Sequence, residues 1–211
     1  MNRVLHTIGH SNHGSAAFVD LLRRHAIDAI ADVRSSPYSR VAPQFNREPL
    51  ATLLRSRGIQ YVFLGRELGA RREERDCYVG SQARYDLIAK SRLFREGIER
   101  VLAGAASHAV ALMCAEKDPI TCHRMVLVCR ELRASGLDLR HVLEDGSIES
   151  NLDAENRLLD LADLPRGDLF RPRDALVEEA YDRQALRIAW TERESPRDAE
   201  TVAPWTPGAV P

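Results

Sequence analysis

The chain has 211 residues, 44% of them hydrophobic, and a formal net charge of −1. This length allows one α/β domain with a sizeable core and an additional extension. The near-neutral charge lacks the overall basic signature of a typical nucleic-acid-binding protein.

Hallmarks of membrane and secreted proteins are missing from the sequence. No apolar run approaches the roughly 18 residues of a membrane span, and the N-terminus lacks a signal-peptide cleavage region. The four cysteines have no disulfide-framework spacing, which is typical of reduced thiols. We therefore expect a cytoplasmic protein that has no membrane partner.

Charge is divided unevenly along the chain. Residues 1–143 carry 22 Lys and Arg against 15 Asp and Glu, whereas residues 144–211 carry 8 against 16. The first part therefore favours an anionic partner, and the second part presents an acidic surface. The alternative is that this Arg-rich composition reflects the genome, since only Lys90 and Lys117 are lysines.

The predicted elements alternate between strands and helices. Apolar patterns predict strands at residues 4–8, 27–33, 61–64, 109–113 and 139–143. Helical patterns start near Ser15 and near Pro49, and another runs from Asp118-Pro119 to Gly136. A further helix buries one face formed by Phe94, Ile98, Val101 and Leu102. This alternation predicts an α/β fold with a mainly parallel sheet and helices on both faces.

Two polar loops and a C-terminal extension complete the predicted organisation. The loops span residues 34–47 and 65–80, and both are rich in arginine. Added helices are predicted at residues 151–162 and 173–189. Polar residues and prolines from 191 to 211 predict a flexible tail. We expect a single domain over residues 1–190, with its helical extension from about residue 151.

Reactive side chains follow the ends of several predicted strands. His10 follows the first strand, Asp32 and Arg34 end the second, and Cys114 and Glu116 follow the fourth. Because parallel strands with right-handed crossovers place their carboxyl ends at one edge, we expect these groups to share a crevice.

Several segments together resemble the family called domain of unknown function 488. They are Thr7-Ile-Gly-His-Ser11, Asp32-Val-Arg34, Pro37, Ser39-Arg40, Leu64-Gly65, Glu67-Leu-Gly69, Cys114-Ala-Glu-Lys-Asp-Pro-x-x-Cys-His-Arg124, Asp145-Gly146 and Ala180-Tyr181. The resemblance covers roughly residues 3–190 and implies a compact α/β domain. One departure is Ala70, where the family pattern has a second glycine after Gly69. The family supplies no settled activity, so function must be argued from the site.

The candidate catalytic residues are His10, Asp32, Cys114, Glu116 and His123. Imidazole titrates near neutral pH, so His10 and His123 suit general acid or base roles. A thiol near a helix start and basic groups suits a nucleophile at Cys114. The structural alternative is that Cys114 is a small buried side chain and that the two histidines bond loop backbone.

The candidate anion- or substrate-binding residues are Ser11, Arg34, Ser39, Arg40, Glu67, Arg71, Lys117 and Arg124. The forked donors of Arg34, Arg40 and Arg124 suit a phosphate or a carboxylate. The alternative is that two of these arginines form buried ion pairs, Arg34 with Asp32 and Arg124 with Glu116.

Spacing argues against several other chemistries. Arg124 lies ten residues beyond Cys114, which does not fit a Cys-x5-Arg phosphatase loop. Serine-hydrolase, P-loop and dinucleotide fingerprints are missing. A metal site from Cys114, Cys122 and His123, with His10 added, lacks the paired spacings of structural zinc sites. Cys122 instead suits the apolar stripe of a helix, so we expect no metal and no cofactor.

Three functional hypotheses follow. The leading one is a hydrolase or transferase that acts on a phosphorylated or otherwise anionic substrate, such as a nucleotide or nucleic acid. The second is a non-catalytic nucleic-acid-binding or sensing module that stacks bases on Tyr38, Phe45 or Tyr78 in the basic loops. The third is a redox or sulfur-transfer protein that pairs Cys114 with Cys122. The sequence does not indicate an oligomeric state.

Overall fold

The structure, a computed structural model, describes residues 3–192. Its strands are β1 (Val4–Gly9), β2 (Ala29–Asp32), β3 (Gln60–Phe63), β4 (Tyr78–Val79), β5 (Gln82–Ala83), β6 (Val110–Cys114), β7 (Asp138–Val142) and β8 (Ile148–Ser150). Its α-helices are α1 (Ser15–Arg24), α2 (Arg47–Ser56), α3 (Gly65–Leu68), α4 (Tyr85–Lys90), α5 (Arg92–Ala105), α6 (Arg130–Leu132), α7 (Asn151–Leu161) and α8 (Arg173–Ile188). No helix within this range is long and apolar enough to cross a membrane.

Within residues 3–192, six strands form one sheet in the order β3-β2-β6-β1-β7-β8. The strands from β3 to β7 pair in parallel, and β8 pairs antiparallel with β7 at one edge. The predicted α/β class with a mainly parallel sheet is confirmed. The edge strand β8 and the β4–β5 hairpin were not predicted, because strands of two or three residues are too short to show a hydrophobic period.

The sheet has an apolar core on each face. Along β6, Leu112 belongs to one core and Met113 to the other, as the two-residue period of a strand requires. Helices α1 and α2 cover the first face through side chains such as Phe18 and Leu54. Helices α5, α7 and α8 cover the opposite face, where Cys114 also points. The predicted helices on both faces, with the C-terminal helices as an extension, are therefore confirmed.

The segment after β6 differs from the single helix that the sequence predicts. Asp118 does cap a helical turn, since its carboxylate accepts from the Ile120 amide at 3.2 Å, but this turn is a 3-10 helix of three residues. Cys122 then adopts an extended backbone conformation. A π-helix begins only at Arg124 and leads through α6 to Gly136, whose φ of +77° ends the segment. Cys122 therefore precedes the helix and does not lie on its apolar stripe.

Two other segments are more ordered than predicted. The loop predicted over residues 65–80 contains α3, a 3-10 turn at Arg75–Cys77 and β4. Thr191 forms a bridge with Gln82, and the Glu192 amide donates to Ser81 at 2.8 Å, so these first two residues of the predicted tail pair with the β4–β5 hairpin. The rest of that predicted tail, residues 193–211, lies outside the described residues.

Close backbone approaches fix the carboxyl edge of the sheet. The amides of His10 and Ser11 donate to the carbonyls of Cys114 and Ala115, each at 2.9 Å. A Cβ atom at Gly9 would lie 1.9 Å from the Glu116 carbonyl oxygen, so only glycine fits there. The ends of β1 and β6 are therefore held in direct contact.

Candidate functional site

Four side chains form the first group at the carboxyl edge, which we call the thiol–histidine cluster: Cys114, Glu116, Cys122 and His123. Their ligand-type atoms all lie within 4.8 Å of one another. The thiols of Cys114 and Cys122 donate to the same Glu116 oxygen, at 2.8 and 3.1 Å. Strand β6 positions Cys114, and the extended backbone at Cys122 brings the second thiol beside it.

The imidazole of His123 is oriented by the end of β2. Its Nε2 lies 2.9 Å from the carbonyl oxygen of Val33. Because a carbonyl can only accept, Nε2 carries a proton and Nδ1 is the atom that titrates. Nδ1 lies 3.7 Å from the sulfur of Cys114 and 4.0 Å from that of Cys122. The imidazole therefore presents its reactive nitrogen to both thiols.

The surroundings of the two thiols shift their pKa values in opposite directions. Burial, together with the neighbouring Cys122 and Glu116, raises the pKa of Cys114. Burial opposes ionisation of Cys122 as well, but the neighbouring Cys114 thiol and the charge of Arg124 lower its pKa. Although burial also acts against the charged imidazole, contact with Cys122 raises the pKa of His123. Cys122 is therefore the thiol of this pair that ionises more readily.

A second group at the same edge, the Asp32 network, consists of Asp32, Arg34, His10, Tyr61 and the Phe45 carbonyl. Asp32 is fully buried and accepts from Arg34 Nη2 at 2.6 Å and from the Tyr61 hydroxyl at 2.7 Å. Arg34 also donates to the Phe45 carbonyl at 2.9 Å. The buried ion pair that the sequence left open as an alternative is present, and it occupies the Asp32 carboxylate.

His10 contacts both Arg34 and Phe45 of this network. Its Nε2 accepts from Arg34 at 3.2 Å, and its Nδ1 lies 3.1 Å from the Ser11 carbonyl. The ring stacks on Phe45 with centroids 4.4 Å apart. Burial lowers the pKa of His10, so the neutral form that accepts from Arg34 is favoured. This geometry makes His10 a positioning residue for Arg34.

Arg124 holds the loop after β6 and not an anion. Its side chain is fully buried, and its Nη1 and Nη2 atoms donate to the carbonyls of Glu116 and Lys117. Its Nε donates to the Thr7 hydroxyl at 3.3 Å. All three nitrogens therefore bind protein oxygens, which corrects the prediction of a forked anion donor. The alternative that the sequence left open, an ion pair with the Glu116 carboxylate, is replaced by a bond to the Glu116 backbone carbonyl.

A cavity of about 320 Å³ opens in front of the thiol–histidine cluster. Of the predicted site residues, those that line it are Arg34, Arg71, Cys114, Glu116 and His123. The Arg71 guanidinium lies 5.5 Å from the ring centroid of Trp190, which supports it by a cation–π contact. The cavity therefore combines reactive groups on one wall with two guanidinium groups.

The other predicted binding residues are not among those that line this cavity: Ser11, Ser39, Arg40, Glu67 and Lys117. Ser39 accepts from the amides of Val41 and Ala42 and so closes its own loop. Lys117 pairs with Glu144, and Glu67 pairs with Arg100.

Several lining residues were missed by sequence reasoning, namely Ser35, Tyr85 and Trp190. They come from segments that are distant in sequence, and none belongs to a recognisable motif. Cys122 was also left out of the predicted site. Its signal was visible in the Cys-x7-Cys-His spacing, but the helical pattern favoured a core position.

Comparison with known proteins gives a family and no activity. No curated protein and no solved structure matches the chain significantly. The family model described as "Domain of unknown function DUF488" matches residues 15–130, which include β2, β6 and every residue of the thiol–histidine cluster. Since this match covers more than half of the 211 residues, the chain belongs to the DUF488 family.

Proposed function

We propose that the protein is an enzyme of the hydrolase or transferase type that acts on a small phosphorylated or otherwise anionic substrate. The observation that carries this proposal is the cavity at the carboxyl edge of the sheet. It is the place where Arg34 and Arg71 face the thiol–histidine cluster. Ligands of open parallel sheets bind at this edge.

Cavity size favours a nucleotide-sized substrate over a nucleic-acid strand. A volume of about 320 Å³ lies at the lower end of the range for small-molecule sites. A larger hollow of about 750 Å³ lies elsewhere, but the residues that line it include no thiol and no imidazole. The smaller cavity is therefore the better candidate site.

The two arginines contribute differently to anion binding. Arg34 is tied to Asp32, which neutralises much of its charge, but its Nη1 carries a second N–H beyond the one given to His10. Arg71 is exposed and contacts the Trp190 ring. Arg71 therefore supplies the net positive charge, and Arg34 supplies an oriented donor.

Proton transfer in this proposal is the role of Glu116 and His123, which line the cavity together with the two arginines. Glu116 is exposed to the cavity, and Nδ1 of His123 lies beside it within the cluster. A carboxylate and an imidazole within hydrogen-bonding reach of a bound substrate suit general acid–base catalysis. Asp32 and His10, both buried, act on the substrate only through Arg34.

A second candidate is thiol redox or sulfur-transfer chemistry. It is favoured by the placement of Cys114 and Cys122, whose sulfurs share one Glu116 oxygen and whose pKa values are driven apart. Alkylation of the native protein separates the candidates: a redox site requires Cys114, which lines the cavity, or its partner Cys122 to react much faster than the core residue Cys129. Equal, slow labelling of all three cysteines would remove this candidate.

The anion-binding proposal is tested with Arg71→Ala and a matched control, Arg40→Ala, which removes another exposed arginine outside the cavity. Binding of inorganic phosphate and nucleoside monophosphates is measured by calorimetry. Losing a charged hydrogen bond of about 1.5–3 kcal/mol should weaken binding roughly 10- to 100-fold in Arg71→Ala. Arg40→Ala should bind as the wild type does. Equal affinity in all three proteins would overturn the proposal.

A further inference from the structure

We infer that Cys114, Cys122 and His123 bind a divalent transition metal of the zinc type, with Glu116 at the fourth position. Two sulfurs, an imidazole nitrogen and a carboxylate oxygen lie within 4.8 Å of one another. This donor set is selective: thiolate and imidazole ligands favour zinc-type ions, whereas magnesium and calcium require oxygen ligands.

The two sulfur–nitrogen distances are close to those of a tetrahedral site. Zinc bonds of about 2.3 Å to sulfur and about 2.0–2.1 Å to nitrogen place those two ligands roughly 3.6 Å apart. Nδ1 of His123 lies 3.7 Å from the Cys114 sulfur and 4.0 Å from the Cys122 sulfur. The Glu116 oxygen lies closer to the sulfurs, at 2.8 and 3.1 Å. A small outward movement of the exposed Glu116 side chain therefore completes the site.

The outer contacts are those of a metal ligand set. A histidine that binds a metal through one nitrogen commonly donates its other N–H to a backbone carbonyl. Nε2 of His123 makes this contact with Val33 at 2.9 Å. The backbone amide of Arg124 donates to the Cys122 sulfur at 3.4 Å, which stabilises a thiolate there. Both ligands are therefore already oriented for binding.

Burial distinguishes Glu116 from the other three ligands. Cys114, Cys122 and His123 are 3%, 1% and 9% exposed, whereas Glu116 is exposed and lines the cavity. Catalytic zinc sites have three protein ligands and an exchangeable fourth position. Three buried ligands and one exposed carboxylate give this arrangement. This catalytic reading rests on the proposed function, whereas metal binding itself does not. When the metal takes Nδ1 of His123, proton transfer is left to Glu116 alone.

Metal binding must be balanced by proton release. The metal coordinates thiolates and neutral imidazole, so the protons of Cys114 and Cys122 and any proton on Nδ1 of His123 leave to solvent. Two thiolates then neutralise the charge of a divalent ion. No electron is transferred, and no oxidant is needed.

The test uses the reduced, full-length protein, freed of metal and titrated with Co²⁺ as a spectroscopic probe. Wild type should bind one equivalent and show a thiolate-to-metal charge-transfer band with tetrahedral d–d bands. Cys122→Ala should lose these bands and weaken binding by more than the roughly 10- to 100-fold effect of losing an outer partner. The control, Cys129→Ala, removes a fully buried cysteine of the adjacent π-helix and should behave as wild type.

Two further measurements keep the test decisive. Near-ultraviolet circular dichroism of the metal-free variants checks that Cys122→Ala folds as Cys129→Ala does. Glu116→Gln should keep the charge-transfer band, because both sulfurs remain. The inference is overturned if reduced wild type shows no such band, or if Cys122→Ala binds Co²⁺ as tightly as wild type. Failure of the Arg71→Ala experiment would leave these metal readouts unchanged, so the two proposals fail separately.

Discussion

The Asp32 network and the thiol–histidine cluster lie at the same edge of the sheet and use similar ionisable groups. In the network, Asp32 is fully buried and its carboxylate is paired with Arg34 and Tyr61. In the cluster, Glu116 is exposed to a cavity, and its acceptors serve only thiols among the side chains described. Complete pairing makes the network a support, whereas partial enclosure makes the cluster the candidate reactive site.

Because of this difference, the largest loss of unfolding free energy is expected when the Asp32 carboxylate is removed. Asp32→Ala leaves the Arg34 guanidinium, only 6% exposed, without its counter-charge. Breaking a buried pair in this way costs about 3–5 kcal/mol of unfolding free energy. Urea denaturation measures the loss, with Asp20→Ala on the exposed side of α1 as the control. A loss no larger than that of the control would mean that the network does not support the fold.

An intermediate effect on the free energy of unfolding is expected from a change of pH, because a buried histidine, His141, lies in the hydrogen-bond chain that ends at Arg124. His141 accepts from the Thr7 hydroxyl, which in turn accepts from Arg124. Burial and the charge of Arg124 lower the pKa of His141 to about 3. Because the unfolded chain binds this proton more readily, stability is complete above about pH 6.5 and falls toward pH 3, by about 1.4 kcal/mol per unit.

Denaturation curves between pH 7 and pH 4 measure this slope. His141→Gln removes the titrating group, so its slope should be shallower than that of wild type by about 1.4 kcal/mol per pH unit. Parallel slopes for the two proteins would show that His141 does not stay neutral in the folded state.

The smallest effect on the free energy of unfolding is expected from replacing Glu116, although the sequence indicates Glu116 and Asp32 alike as candidate catalytic residues. Glu116→Gln keeps the shape of an exposed side chain and retains an oxygen that can accept from the thiols. We expect a change of less than about 1 kcal/mol in unfolding free energy. A loss as large as that of Asp32→Ala would erase the distinction between the two groups and make Glu116 structural.

The positions of the main strands were predictable because each one forms a short apolar run in the sequence. β1 and β7 lie within one or two residues of the predicted runs. The course of residues 65–80 was not predictable from local pattern. There α3 begins at Gly65, where an added Cβ would lie 1.9 Å from the Arg34 carbonyl oxygen. Such a contact between distant segments leaves no periodic trace in the sequence.

Roles within the site were harder to predict than its location. The sequence indicates that His10, Asp32 and Cys114 meet at one edge, since parallel strands require it. It does not distinguish an arginine that faces a cavity from one that binds carbonyls. Arg71 and Arg124 differ in this way only because of the loops around them.

The amino-acid sequence by itself determined the family, the α/β class and the edge of the sheet where reactive groups gather. These follow from hydrophobic periods and from motifs that are local in the chain. Tertiary structure alone decided that Cys122 lies beside Cys114 and His123, and that the Asp32 carboxylate is buried and paired with Arg34. The physical reason is that exposure and hydrogen-bond partners depend on which distant backbone segments pack together, and this packing determines whether an ionisable group is free to react.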